Sequence, residues 1–324
     1  MQITAPIASL RAALSIASKA TNDRGVMPIL RYVLCRAESE GPTMFQATDN
    51  EVGITVYANG IAVEQPGDCL LPPELLKTLS LAPDDEPIQI ETNDKEIRWL
   101  AGGNFRQPTE DVSAFPAVPA IDDGDPTLEV FAADLRELAR RTEFAVADGE
   151  GKYAMHGVSV HKDGDSLKFA ATDGKRLAVA ESPATWKLDM PKGDILVPSK
   201  ALKVLEFMLS KVPDDEPVKV WVGSGDGKAM SIAFGTSIGR VWTRLLEGRF
   251  PPYREVIPKK AKMSIPLKAA PLLESIRLAE VATDDESKRV LMAFDKGKVT
   301  MQTQSATRGA GVVVHPLPDH DGDK

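Results

Sequence analysis

The segment Lys168-Phe169-Ala170-Ala171-Thr172-Asp173-Gly174 follows the plan of Met44-Phe45-Gln46-Ala47-Thr48-Asp49-Asn50, with Thr172 standing 124 positions after Thr48. Two further matches keep the order. Pro83-Asp84-Asp85-Glu86-Pro87 returns as Pro213-Asp214-Asp215-Glu216-Pro217, 130 positions on, and Phe115-Pro116 returns as Phe250-Pro251, 135 positions on. Ordered matches with a slowly growing offset indicate a duplicated module with small insertions.

Each copy reads as helix plus strands, done twice. Apolar residues at three- and four-residue spacing predict helices over 6–21 and 132–146, and shorter ones over 73–81 and 199–212. Alternating runs after them, such as 88–91 with 97–100 and 218–222 with 230–234, predict strands. Pro6, Pro73 and Pro271 suit a first helical turn, and Ser199 suits an N-cap. A third copy starts near residue 264, with a helix over 269–283 and strands over 290–294, 299–303 and 311–315. A polar run, Asp319-His320-Asp321-Gly322-Asp323-Lys324, follows where a second helix is expected, so this copy reads as half complete. The expected domains are 1–120, 127–258 and a partial third over 264–324, in an α+β chain.

The net charge of −8 argues against a protein coated in nucleic acid. Its distribution is more informative than its sum. Arg11, Ser15, Ser18 and Lys19 share a polar face of the first helix. Arg136 and Arg140 lie one turn apart beside Arg141, and Lys200, Lys203 and Lys211 sit off the Leu202, Leu205, Leu209 stripe. Acidic residues concentrate in turns, as at 84–86, 122–125, 214–216 and 319–323. Solvated helix faces explain any single one of these patterns; their recurrence in three helices favours an anion-facing side.

Hydrophobic residues at 43% and charged residues at 27% fit a globular chain, and no run approaches the length needed to span a bilayer. A cytoplasmic location with no membrane partner is expected. Cys35 and Cys69 lie in apolar strand-like runs without metal spacing and read as buried thiols.

Catalytic sets are missing from the sequence. His156, His161, His315 and His320 show no metal-ligand spacing, and no nucleophile elbow or P-loop occurs. Gly223-Ser224-Gly225-Asp226-Gly227 joins two strands and opens no helix, so it does not read as a phosphate cradle. Asp49 and Asp173, one per copy, invite comparison with a shared-proton carboxylate pair, but the order Thr-Asp-Gly is wrong for it, and Asp favours tight turns. No enzyme activity, cofactor or metal is expected.

Met27-Pro28-Ile29-Leu30, the run Ala171-Thr172-Asp173-Gly174-Lys175-Arg176-Leu177-Ala178, Val197-Pro198-Ser199-Lys200, and Glu247-Gly248-Arg249-Phe250-Pro251-Pro252-Tyr253 together resemble the bacterial DNA polymerase III beta-subunit family, the sliding clamps. The resemblance runs from Met1 to about Pro316. It implies a clamp fold with helices on one side and antiparallel sheets on the other, in a head-to-tail homodimer that encircles duplex DNA without reading sequence. It also implies that DNA polymerase, clamp loader and repair proteins bind through short peptide motifs. On the resemblance, Arg24 and Tyr153 contact DNA, and the basic helix faces add Arg136, Arg140, Lys200 and Lys203. Gly149 and Ala154 replace larger contacts of the family. The partner cleft falls on Met155, Thr172, Gly174, Lys175, Arg176, Leu177, Pro251 and Val256, and the dimer contact on Phe105 and Gln107 against Val281 and Ala282. The half-complete third copy lacks residues that finish the cleft, which implies either weaker peptide binding or a sequence that is a fragment of a longer chain. It also keeps open a second reading, a clamp-like interaction scaffold that no longer closes around DNA.

Overall fold

The computed structural model describes residues 1–22, 25–84, 86–93, 95–119, 124–147, 155–260, 264–284 and 287–317. Two compact units divide it, 1–253 and 254–324.

In the first unit the duplication is visible strand by strand. The first copy runs β1 (Gln2–Pro6), α1 (Ile7–Ala17), β2 (Val33–Ala37), β3 (Thr43–Thr48), β4 (Val52–Ala58), β5 (Ala62–Gln65), β6 (Gly67–Leu71), α2 (Pro73–Leu81), β7 (Pro87–Thr92), β8 (Glu96–Leu100) and β9 (Asn104–Pro108). The second runs β10 (Leu128–Phe131), α3 (Ala132–Thr142), β11 (Gly157–Asp163), β12 (Ser166–Thr172), β13 (Leu177–Pro183), β14 (Thr185–Trp186), β15 (Ile195–Pro198), α4 (Ser199–Leu209), β16 (Pro217–Gly225), β17 (Lys228–Thr236) and β18 (Gly239–Arg244). Strand order β5-β1-β7-β8-β9 in one copy is β14-β10-β16-β17-β18 in the other, and β4-β3-β2-β6 matches β13-β12-β11-β15. The copies are joined because β18 pairs antiparallel with β4, Val241 opposite Ile54, so two of these sets form one nine-stranded sheet.

The repeated sequence motifs have physical reasons. Thr48 and Thr172 each end a strand, and their hydroxyls accept from the amides of Asn50 and Gly174 at 3.0 and 3.1 Å. Asn50 and Gly174 turn the chain at φ +77° and +84°, a left-handed region that Gly and Asn tolerate best. The Pro-Asp-Asp-Glu-Pro turns start the helices: the Glu86 carbonyl accepts from Ile7 N, and that of Glu216 from Ala132 N.

Leu10 and Leu14 of α1, Leu135 and Leu138 of α3, and Leu202, Leu205 and Leu209 of α4 are all buried in one continuous core with Phe45, Phe169 and Phe234. Burial of such a side chain contributes about 1.5–3 kcal/mol, so the helices are held by this face rather than by propensity.

The helix limits differ from expectation at their ends. α1 and α3 stop at Ala17 and Thr142 and tighten into 3₁₀ turns, Ser18–Ala20 and Glu143–Ala145. Ser199 is the first residue of α4 and not its cap; Pro198 holds that position, and the Ser199 hydroxyl donates to Glu143.

The second unit holds α5 (Ala269–Glu280) and the antiparallel strands β19 (Leu291–Asp295), β20 (Lys298–Ser305) and β21 (Gly309–Pro316), in the order of α1, β2, β3 and β4. Its core joins Ala279, Val299, Met301 and Leu317.

Candidate functional site

Within the first unit α2, α1, α4 and α3 lie side by side, α1 touching both α2 and α4, and α4 touching α3. Several cations on this layer are paired with nearby acids. Arg140 and Arg141 of α3 share Glu137: its two carboxylate oxygens accept from Arg140 at 2.8 Å each, and one accepts from Arg141 at 2.6 Å. These two arginines hold the Glu137 carboxyl down to about 2. Lys203 reaches Glu143 at 2.9 Å, and Lys200 pairs with Asp49 of the other copy. Lys19 and Lys211 both stand over one ring, Phe207, at 4.5 and 5.1 Å.

Arg136 behaves differently from its neighbours. Its guanidinium turns to α4, donating to the Leu209 carbonyl at 3.3 Å and the Asp214 carboxylate at 2.6 Å. Of the other expected DNA contacts, Arg140, Lys200 and Lys203 keep side chains 41–64% exposed on the layer, which leaves them able to exchange partners with phosphate. Arg24, Gly149, Tyr153 and Ala154 lie outside the described residues.

The expected cleft residues Thr172, Gly174, Lys175, Arg176 and Leu177 form one turn between β12 and β13. Asp173 Oδ1 accepts from the amides of Lys175 and Arg176 at 2.9 Å, and Oδ2 accepts from Arg176 Nε at 3.0 Å. The Arg176 amide bond comes first among the causes that hold the Asp173 carboxyl below its ordinary range. The Arg176 guanidinium lies 5.6 Å from the centre of the Phe144 ring, which is exposed. Phe144 was not singled out from the sequence; an aromatic directly after a helix end is its only signal.

Leu177 and Met155 are half-buried, and Pro251 sits in the segment that Tyr253 ties to His161 by a 2.9 Å hydrogen bond. Val256 belongs to the second unit and is exposed.

Phe105 and Gln107 lie on β9, an edge strand of the five-stranded sheet, and Phe105 stacks on Trp99 at 5.5 Å while remaining 40% exposed. Val281 and Ala282 follow α5, with Val281 exposed. Among the described residues no cluster of three or more His, Cys, Asp or Glu could hold a metal, and no helix is long and apolar enough to cross a membrane.

A family model for the N-terminal domain of the DNA polymerase III beta subunit matches residues 1–119, and one for its central domain matches residues 129–252. The "Beta sliding clamp" of Synechococcus elongatus is 28% identical over 289 residues, covering 88% of this chain and 75% of that protein. That of Synechocystis is 27% identical over 314 residues, covering 90% and 77%. The chain thus spans about three quarters of the length of these relatives. Among solved structures, a DNA polymerase III subunit beta sliding clamp from Pseudomonas aeruginosa bound to griselimycin superposes with a TM-score of 0.85 at 22% identity, over 99% of this chain and 85% of that one. The beta subunit from Thermotoga maritima gives 0.82 at 23%, over 98% and 83%. These structural matches speak for the clamp fold.

Proposed function

This chain belongs to the DNA polymerase III beta-subunit family, and from that premise we propose how it works as a DNA sliding clamp: it holds duplex DNA against the layer of α2, α1, α4 and α3. The observation that carries the proposal is the cationic side of that layer, where Arg140, Arg141, Lys200 and Lys203 keep side chains 41–64% exposed. Flexible cations on helix faces attract phosphates without reading base edges, which is what a protein needs if it is to slide. Local acid partners keep each contact weak and exchangeable.

Ring closure has a template inside the chain. β18 pairs with β4 between the two copies. The strand equivalent to β18 in the first copy is β9, and the strand in the second unit equivalent to β4 is β21; both are edge strands among the described residues. In the proposed head-to-tail homodimer β9 of one chain adds to β21 of another, with Phe105, Gln107, Val281 and Ala282 at the contact. Each chain would then supply its clamp modules, over 1–120, 127–258 and 264–324, to the ring.

The turn over 172–177, with Met155 and Pro251, is the proposed docking place for polymerase, loader and repair-protein peptides. Half-buried Leu177 and Met155 would take apolar side chains, and the Arg176 guanidinium on this fixed turn would orient the peptide. On this reading the protein carries no catalysis of its own.

The test is topological. Clamp loaded on a nicked circular plasmid should stay bound through gel filtration at high salt and leave when the plasmid is linearised. Equal retention on both forms would overturn encirclement.

A further inference from the structure

Cys35 of β2 and Cys69 of β6 stand directly opposite each other in the strand register. Opposed residues of an antiparallel pair project to one face, with Cα atoms about 4.5 or about 5.5 Å apart according to the hydrogen-bonding of the rung. Either spacing lies within the roughly 4.4–6.8 Å that a disulfide bridges. Both residues are free thiols, 0% and 1% exposed. Burial by itself would suit either cysteine as a small apolar side chain. Their register is what gives the two thiols a common product.

Their place in the sheet supplies a route. β6 is the last strand of the nine-stranded sheet and pairs with β2. The next rung outward is Arg36 opposite Asp68, closed by an ion pair at 3.0 Å. Edge strands open locally far more often than a domain unfolds. While β6 is seated, the contact with Cys69 and then burial push the Cys35 thiol well above its ordinary range, so the seated pair is inert. Release of β6 exposes both sulfurs and lets either ionise near the usual free-cysteine value.

We propose that Cys35 and Cys69 form a reversible redox modification site that closes into a cross-strand disulfide when a low-molecular-weight disulfide reaches the opened edge of β6. One cysteine, as thiolate, attacks a sulfur of the small disulfide, whose S–S bond breaks and releases one thiolate, which takes up a proton. The second cysteine, also as thiolate, attacks the first cysteine's sulfur and expels the other half of the reagent. Two protein thiols are oxidised to one S–S bond, and the small disulfide is reduced to two thiols. The product ties the sheet's edge strand to its neighbour and closes a loop from Cys35 to Cys69, restricting the unfolded chain.

The experiment uses the full chain incubated with oxidised glutathione, followed by alkylation under denaturing conditions and intact mass measurement. The expected product has the mass of one chain less two hydrogens, takes up no alkyl group and melts several degrees higher; dithiothreitol reverses all of this. Cys35→Ala and Cys69→Ala, each leaving one thiol, should stop at a mixed disulfide. Oxidation confined to the denatured chain, glutathione retained on both cysteines, or covalent dimers in place of the internal bond would each overturn the proposal. The unaltered chain alone separates these results, so the inference does not depend on either variant folding.

Discussion

Arg136 donates to the Asp214 carboxylate at 2.6 Å, and one copy earlier Arg11 makes the same bond to Asp84. Arg11 also donates to the carbonyls of Leu79 and Ala82 at 2.7 and 2.6 Å, as Arg136 does to that of Leu209. In each copy, therefore, an arginine of the first helix braces the carbonyl end of the second. The repeated Pro-Asp-Asp-Glu-Pro turn supplies the acid. Because Asp214 is exposed, the charge part is screened, and the bond to the helix end carries most of the effect. Arg136→Ala should cost about 1 kcal/mol in urea unfolding, the usual worth of such a hydrogen bond. DNA association should fall less than in Arg140→Ala; the reverse order would return Arg136 to the DNA-facing set.

Glu137 restrains two of the exposed cations. Glu137→Gln frees Arg140 and Arg141 and removes a repelling charge. On the sliding reading it should tighten binding to a short duplex and steepen the salt dependence by up to about 0.9 for each phosphate newly neutralised. Fluorescence anisotropy across a salt series measures both. The Glu137 carboxyl is held at about 2, so protonation cannot mimic the variant: no gain in affinity from Glu137 is expected between pH 8 and pH 5. A gain over that range would have to come from another group.

The helices were legible because one apolar stripe fixes each of them. α2 occupies 73–81 as its spacing predicts, and α5 begins at Ala269. The short strands β1 and β10 were missed, because four or five residues leading directly into a helix carry too little alternation to register. The β18–β4 junction was also beyond reach, since nothing in either strand's alternation names a partner some 190 positions away. For the same reason the pairing of Lys200 with Asp49, 151 positions apart, is a fact of three dimensions only. The turn at 172–177 was readable as a group because its residues are contiguous, whereas Phe144 joins it only through the fold.

Asp173 should matter to the proposed cleft through its neighbours' backbone. Its carboxylate fixes the amides of Lys175 and Arg176, so Asp173→Ala should loosen the turn and weaken a polymerase tail peptide several-fold in calorimetry. Leu177→Asp should do so by removing apolar contact. The Asp173 pKa is depressed in the folded chain. Its contribution to stability is therefore present above the unfolded value of about 3.9 and is lost as pH falls below it. Melting temperature should show no Asp173-dependent change from pH 8 to pH 5, while wild type and Asp173→Asn should converge below about pH 4.

Ring closure makes the last prediction, and the internal junction states its terms. Where β18 meets β4, backbone pairing continues across the copies, and the Trp242 ring borders Gly53. At the proposed intermolecular counterpart, β9 offers exposed Phe105 and β21 offers exposed Val312 and Val314. Unpaired edges with apolar side chains favour strand addition. Sedimentation velocity at micromolar concentration should give a dimer. Phe105→Asp and Val314→Asp should each give a folded monomer, because each places a charge in an apolar contact. Combining them should add nothing once the dimer is lost. A wild-type monomer would favour the scaffold that keeps the cleft and does not encircle DNA. A dimer indifferent to both substitutions would place the contact elsewhere, since one edge cannot close the ring without the other.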